Sequence, residues 1–198
     1  MIIGLTGGIA TGKSQSSKIF KKLGCYIIDA DKLSRELTTK DGKCLKNIVD
    51  VFGTDILKEN GTLDRKKLGK IVFSDKQAKM ELEHIIHPHI IRKTNEIIAK
   101  KYRTTDIIVD APLLFEVGLD RICDKIIVVY AKHSIQIKRF MKRDSISKEE
   151  AEKRIALQMP IEDKMRMADI TIDNSGTLTE LNKNIKSAYK FLKEKYDK

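Results

Sequence analysis

The sequence contains no apolar run approaching the roughly 18 residues a helix needs to cross a bilayer. Its apolar opening, Met1-Ile2-Ile3-Gly4-Leu5, breaks into glycines at once, so neither a membrane partner nor a cleaved export signal is expected. Cysteine is scarce: Cys25, Cys44 and Cys123 are odd in number and show no C-x-x-C spacing. That excludes a disulfide framework and a zinc ribbon, and it fits a reducing cytoplasm. Internal repeats and low-complexity linkers are also missing. Guanine specificity lacks its N-K-x-D or T-K-x-D segment, because in Thr39-Lys40-Asp41-Gly42 the Asp falls one place early. A GTPase is therefore disfavoured.

What is present is a chain of 198 residues, 41% hydrophobic and 34% charged, enough to bury a core and hydrate a surface. The length suits one domain with insertions. Lys and Arg total 39 against 28 Asp and Glu, a net charge of +11 that attracts polyanions. The basic residues are spread along the chain with acidic ones among them, rather than gathered into an arm, so nucleic acid is not an expected partner.

Five β-branched runs, at 2–6, 25–29, 106–110, 125–130 and 169–173, are separated by helical patterns, which predicts an α/β fold with a parallel sheet. Their lack of alternation suits strands covered by helices on both faces. Capping boxes are read at Ser74 with Gln77, Ser147 with Glu150, and Thr177 with Glu180. Leu181, Ile185, Ala188 and Leu192 predict a packed closing helix. The interval from Asp29 to Asp106 exceeds one crossover helix, and 63–73 and 80–100 read as helices. We therefore expect a single domain, 1–198, with a helical acceptor-binding insertion at 32–105 over the sheet's C-terminal edge. The charged stretch 134–167 is expected to be a mobile helical lid.

Gly7-Gly8-Ile9-Ala10-Thr11-Gly12-Lys13-Ser14 matches G-x-x-x-x-G-K-[ST] between the first strand and a helix, the context that a phosphate-binding loop requires. Backbone N–H groups of this loop, from Gly8 through Ala10, Thr11 and Gly12, cradle phosphate oxygens at a positive helix end. Lys13 is expected to reach the β and γ phosphates, and Ser14 to supply a hydroxyl to Mg²⁺.

Asp29-Ala30-Asp31 ends the second strand, at the edge where α/β sheets bind ligands. Asp31 is the candidate general base for an acceptor hydroxyl, and Asp29 is either functional or a helix cap. Asp110 ends the third strand and either holds a water of the Mg²⁺ shell or caps the structure. Arg139 and Arg143, four apart, form either a grip on transferring phosphate oxygens or an exposed salt-bridged face.

With these residues in place the chain resembles the dephospho-CoA kinase family. The resemblance rests on the loop just described, Asp29-Ala30-Asp31, Leu63-Asp64-Arg65, Leu82-Glu83-His84-Ile85-Ile86-His87-Pro88, Pro112-Leu113-Leu114-Phe115-Glu116 and Ile172-Asp173-Asn174. It covers nearly the whole chain. It implies an adenylate-kinase-like P-loop NTPase core with a five-stranded parallel sheet, a helical acceptor domain and a lid. The implied activity is ATP-dependent, Mg²⁺-assisted phosphorylation of the ribose 3′-hydroxyl of dephospho-CoA, by a cytoplasmic monomer.

By resemblance Lys13, Asp31 and Arg139 take the principal catalytic roles. Arg143, Gln15 and Asn174 join the loop in binding ATP, with the turn at Asn174 framing the adenine. His87 joins Asp31 around the acceptor, and Leu114 and Phe115 either pack in the core or form the apolar side of the acceptor site, the second being the expectation. Two departures stand out: Ala10-Thr11 replaces the frequent Gly-Ser or Gly-Thr, and Gln15 replaces Thr. Ala10 fits if it keeps a negative φ, and Gln15 removes one hydroxyl from the α phosphate. His84, His87 and His89 do not read as a zinc cluster, because Pro88 is expected to interrupt the helix before His89. A nucleoside or nucleotide kinase, or a nucleotide-dependent nucleic-acid module, remains open at this point.

Overall fold

The computed structural model describes residues 1–196. Five strands, β1 (Ile2–Gly7), β2 (Tyr26–Asp29), β3 (Ile107–Asp110), β4 (Lys125–Tyr130) and β5 (Ile170–Asp173), form one sheet in the order β2-β3-β1-β4-β5. β1 pairs in parallel with β3 and β4, and β4 with β5, each within a residue of the expected runs. The α-helices follow in chain order: α1 (Lys13–Lys22), α2 (Ala30–Leu37), α3 (Leu45–Phe52), α4 (Arg65–Ser74), α5 (Lys76–Lys101), α6 (Leu114–Val117), α7 (His133–Asp144), α8 (Lys148–Ala156), α9 (Ile161–Arg166) and α10 (Leu178–Tyr196). Among the described residues no helix is long and apolar enough to cross a membrane.

The chain divides into two compact units. One comprises Met1–Ile28 and the chain from Ile98 onward, the other Asp29–Ile97. In the first, Ile3, Leu5, Ile108, Ile127, Val129 and Ile172 of the strands are buried with Phe20 of α1 and Leu181, Ile185 and Leu192 of α10. All four residues of β3 are buried, which is why its sequence shows no alternation. α10 starts with a complete capping box: Glu180 N donates to Thr177 Oγ1 at 3.2 Å and Thr177 N to Glu180 Oε2 at 2.7 Å. α8 has half of one, since Glu150 N donates to Ser147 Oγ while its carboxylate bonds Arg154.

The second unit has its own core, in which Cys44, Leu45, Ile48, Ile56, Leu63 and Leu68 are buried with Leu82, Ile85 and Ile86 of α5 packed on them. Asp64 caps α4 by accepting from Lys66 N and Lys67 N, and the Arg65 guanidinium donates to Arg35 O and Thr38 Oγ1. Two expectations fail here. Ser74 does not cap α5, because its hydroxyl bonds back to Lys70 O and Ile71 O, and Asp75 takes the amides of Gln77 and Ala78 instead. Nor does Pro88 interrupt a helix: α5 runs through it. An interior proline costs about 3 kcal/mol, offset by the apolar contacts of Ile85 and Ile86 before it and the buried Ile90 after it.

On the first unit a polar cluster ties α10 to the sheet. Asp106, 8% exposed, accepts from Tyr189 Oη at 2.6 Å, Lys193 Nζ at 3.0 Å and the Met1 ammonium at 2.8 Å. Burial pushes its pKa up, but these hydrogen bonds together outweigh burial and hold it below the usual carboxylate value.

The turn from β1 to α1 departs from its expected conformation. Gly12 lies at φ +99°, and a Cβ there would fall 2.0 Å from Asn174 Nδ2, so glycine is required twice over. Ala10, expected at negative φ, lies at +58°. The left-handed region costs an L-residue about 1–2 kcal/mol, and here the loop is held there by packing of Ile9 and Ala10 on Ile137, Phe140 and Ala151.

Two outcomes test these features. A depressed folded pKa gives stability that is present above the unfolded value, near 3.9, and lost as pH falls through the folded value. Asp106→Asn should therefore cost about 3 kcal/mol at pH 7 by urea unfolding, with the gap to wild type closing below pH ~4; a gap independent of pH would remove the charge from the account. Ala10→Val should lower Tm by about 4–8 °C, the effect of a further ~2 kcal/mol of backbone strain. Ala10→Gly should stay within about 2 °C of wild type because strain relief and unfolded-chain entropy oppose each other. Equal tolerance of Val and Gly would contradict the left-handed backbone.

Candidate active site

Parallel pairing brings the C-terminal ends of β1, β3, β4 and β5 to one edge of the first unit, and the polar residues gather there. Lys13 opens α1 with its ammonium paired to Asp110 Oδ1, and Ser17, one helical turn on, donates its hydroxyl to Asp110 Oδ2. Asp110 is only 5% exposed, so this carboxylate is satisfied from within the site. Ser17 escaped the sequence reading, although its i+4 spacing from Lys13 was the signal that places both on one face of α1.

Gly12 supplies no side-chain cap to α1, and no acidic residue lies in the helix's first turn. The helix dipole at this uncapped end favours an anion, while Gln15 N and Ser16 N donate to Gly12 O at 3.0 and 3.1 Å. Ser14 and Gln15 are exposed on that turn. Thr11, buried, donates both its amide and its hydroxyl to Gly8 O, closing the loop on itself.

Asn174 reaches the same loop from the end of β5. Its side chain is 7% exposed and donates to Thr11 O at 2.7 Å, which fastens the loop. Arg139 of α7 in turn donates to Asn174 O at 2.7 Å and to Gly176 O at 3.2 Å. Arg143, exposed, bonds Asp144 and lies 5.0 Å over the Phe140 ring. Arg139 and Arg143 therefore have different surroundings despite sharing a helix face in sequence.

After β3, the wholly buried Lys164 of α9 donates to Pro112 O at 2.7 Å and pairs with Glu116 at 2.9 Å, while Thr6 Oγ1 also donates to Pro112 O. These contacts give the Pro112-to-Glu116 motif a structural purpose that the sequence did not reveal. Leu114, expected at the acceptor, is fully buried instead: a Cβ on Gly4 of β1 would come within 2.8 Å of its Cδ2. Phe115 beside it is half-buried. A cleft of about 860 Å³ opens beside Gly8, between the end of β4 and the 155–165 segment, lined by Tyr130, Lys132, Gln136, Gln158 and Met165 among others. Its size is that of a small-molecule site.

In the second unit, Asp29 is the N-cap of α2, accepting from Lys32 N at 2.9 Å, and Asp31 lies exposed in the first turn. His87 of α5 is half-buried. Burial lowers its pKa, His84 and Lys79 add to the effect and Glu83 opposes it, so the imidazole is neutral at pH 7. His84 Nδ1 lies 2.9 Å from Met80 O and His89 Nδ1 3.0 Å from the Arg92 guanidinium. Among the described residues no three His, Cys, Asp or Glu side chains gather as metal ligands.

Comparison with known proteins matches this chain to the family model described as dephospho-CoA kinase over residues 1–180. Dephospho-CoA kinase of Carboxydothermus hydrogenoformans is 43% identical over 93% of this chain and 90% of its own length, and that of Fusobacterium nucleatum is 44% identical over 93% and 95%. Among solved structures, dephospho-CoA kinase from Campylobacter jejuni is 32% identical with a TM-score of 0.72 over 98% of this chain and 97% of its own. A gluconokinase from Sinorhizobium meliloti, 12% identical over 97% and 93% at a TM-score of 0.51, shares the fold alone. Sheet order, phosphate loop and sequence agree, and the chain belongs to the dephospho-CoA kinase family.

Proposed function

We propose that this protein transfers the γ-phosphoryl group of ATP to the ribose 3′-hydroxyl of dephospho-CoA, giving coenzyme A and ADP, as a cytoplasmic monomer. The observation that carries the reading is the family match across 1–180, which takes in both the phosphate loop and the second unit. The three free thiols suit the reducing compartment.

Chemistry at the transferring phosphoryl is mainly positioning and charge stabilisation. The amides of Ala10 and of Gly12 to Ser14, at the start of α1, bind the phosphate chain, and Lys13 exchanges its pairing with Asp110 for β and γ oxygens. Asp110 and Ser17 hold that ammonium in reach before the exchange. Arg139 has further N–H donors beyond its two carbonyl bonds for a phosphate oxygen. Arg143 does the same once it releases Asp144. Asp31, just past the end of β2 in the Asp-Ala-Asp motif, orients the acceptor hydroxyl and takes its proton. His87 and Phe115 are assigned to the acceptor, and helices α7 to α9, which span most of 134–167, to excluding water.

Mg²⁺ in kinases is held by one or two protein oxygens together with phosphates. The exposed Ser14 hydroxyl and the Asp110 oxygen that Lys13 leaves on its exchange would supply such a donor set. When bound, the ion neutralises charge developing on the phosphate oxygens.

Mg²⁺-dependent ADP release should be stimulated by dephospho-CoA and not by adenosine or AMP, with a product of the mass of coenzyme A. Asp31→Asn should lower kcat by about 10²-fold or more, the range of general-base contributions. Stimulation by AMP alone would reassign the acceptor; full activity in the variant would keep the acceptor and remove Asp31 as base.

A further inference from the structure

Two glutamines outside the phosphate loop hold both backbone groups of one loop residue. Gln158, in the turn between α8 and α9, accepts from Ile9 N at 3.0 Å through Oε1. Gln136 of α7, 3% exposed, donates from Nε2 to Ile9 O at 2.8 Å. Gly8 makes room for this, since a Cβ there would fall 2.8 Å from Gln136 Nε2.

We infer that Gln136 and Gln158 are positioning residues that aim the Ala10 amide at the nucleotide's phosphates; the inference rests on the kinase reading above. No described peptide is cis, and in a trans peptide the carbonyl and the following N–H point in opposite directions. Fixing Ile9 O outward on Gln136 therefore turns Ala10 N–H inward. Fixing Ile9 N–H outward on Gln158 likewise turns Gly8 O inward, where it accepts from Thr11 N and Thr11 Oγ1. Thr11 N bonded to Gly8 O closes a four-residue turn with Ile9 and Ala10 at its centre, and in such a turn the orientation of the central peptide, which Gln136 fixes through Ile9 O, decides whether the third residue takes positive φ, as Ala10 does. A glycine at that position reaches positive φ without help. An alanine needs the clamp.

The arrangement also makes phosphate binding sensitive to the 134–167 segment, because both glutamines belong to it. Titration calorimetry with MgADP, together with steady-state kinetics, tests the idea in Gln136→Leu and in the less buried Gln158→Leu, each with and without Ala10→Gly. Either leucine variant should weaken MgADP binding and raise KM for ATP about fivefold, the size of one net hydrogen bond. KM for dephospho-CoA should stay within about twofold, as its hydroxyl makes no use of the clamp. With Ala10→Gly added, the loss should shrink below about twofold. Unchanged MgADP affinity would overturn the inference, as would an equal loss with and without Ala10→Gly, or a parallel rise in both KM values. Wild-type protein that binds MgADP but ignores dephospho-CoA would instead sink the assigned reaction while leaving the clamp intact.

Discussion

A parallel sheet cannot turn back on itself without a crossover, and that constraint organises everything functional in the first unit. Each of β1, β3, β4 and β5 releases its chain at the same edge, so Gly7, Asp110, Tyr130 and Asp173 arrive there together although far apart in sequence. The Lys13–Asp110 pair is the clearest product of this convergence. A nearly buried ion pair is a poor source of stability compared with apolar packing of the same volume. Its value here lies in direction: the lysine's charge is fixed on Asp110 at the end of β3, and Ser17 fills the carboxylate's other oxygen so that it stays in place.

Much of the family signature turns out to be scaffold. Asp64 and Arg65 cap α4 and tie it to α2. Glu116 serves the buried Lys164, and Asn174 serves the backbone of Thr11. Lys164 and Thr11 O are withdrawn from water, where an unmet hydrogen bond costs more than a met one gains, whereas Asp64 meets amides at an exposed helix start. The residues assigned to chemistry, Lys13, Ser14 and Asp31, are fewer and lie at helix first turns, where amides and dipoles already favour anions.

The sheet was legible because five Ile- and Val-rich runs without alternation admit little but strands covered on both faces. The phosphate loop was legible because its glycines, lysine and serine sit in fixed register with a strand and a helix. Ser74 misled because a hydroxyl before a helix resembles a cap, yet Asp75 beside it accepts more strongly and won the amides. Leu114 misled because a leucine lining a ligand and one filling the hollow over a glycine look alike in sequence; the glycine it covers, Gly4, is more than a hundred residues away. Gln136 and Gln158 left no sequence trace at all, since each is paired to a main-chain atom, and any residue could supply that atom. Ala10 shows the same limit for backbone conformation. A non-glycine at φ +58° is disfavoured locally and exists through contacts made from other helices.

The bond from Asn174 to Thr11 O spans 163 positions. The nucleotide cradle is written in residues 7–14, but its geometry is tied to a residue synthesised 163 positions after Thr11. A ribosome-bound chain lacking β5 can form the first helix and pair its early strands, because those contacts precede residue 130. Gln136 and Gln158 can already hold Ile9 in such a chain, but the tether on Thr11 O is missing. A chain cut short of β5 thus carries the motif with one of the loop's tethers missing, so the geometry of a short local motif depends on a strand formed far along the sequence.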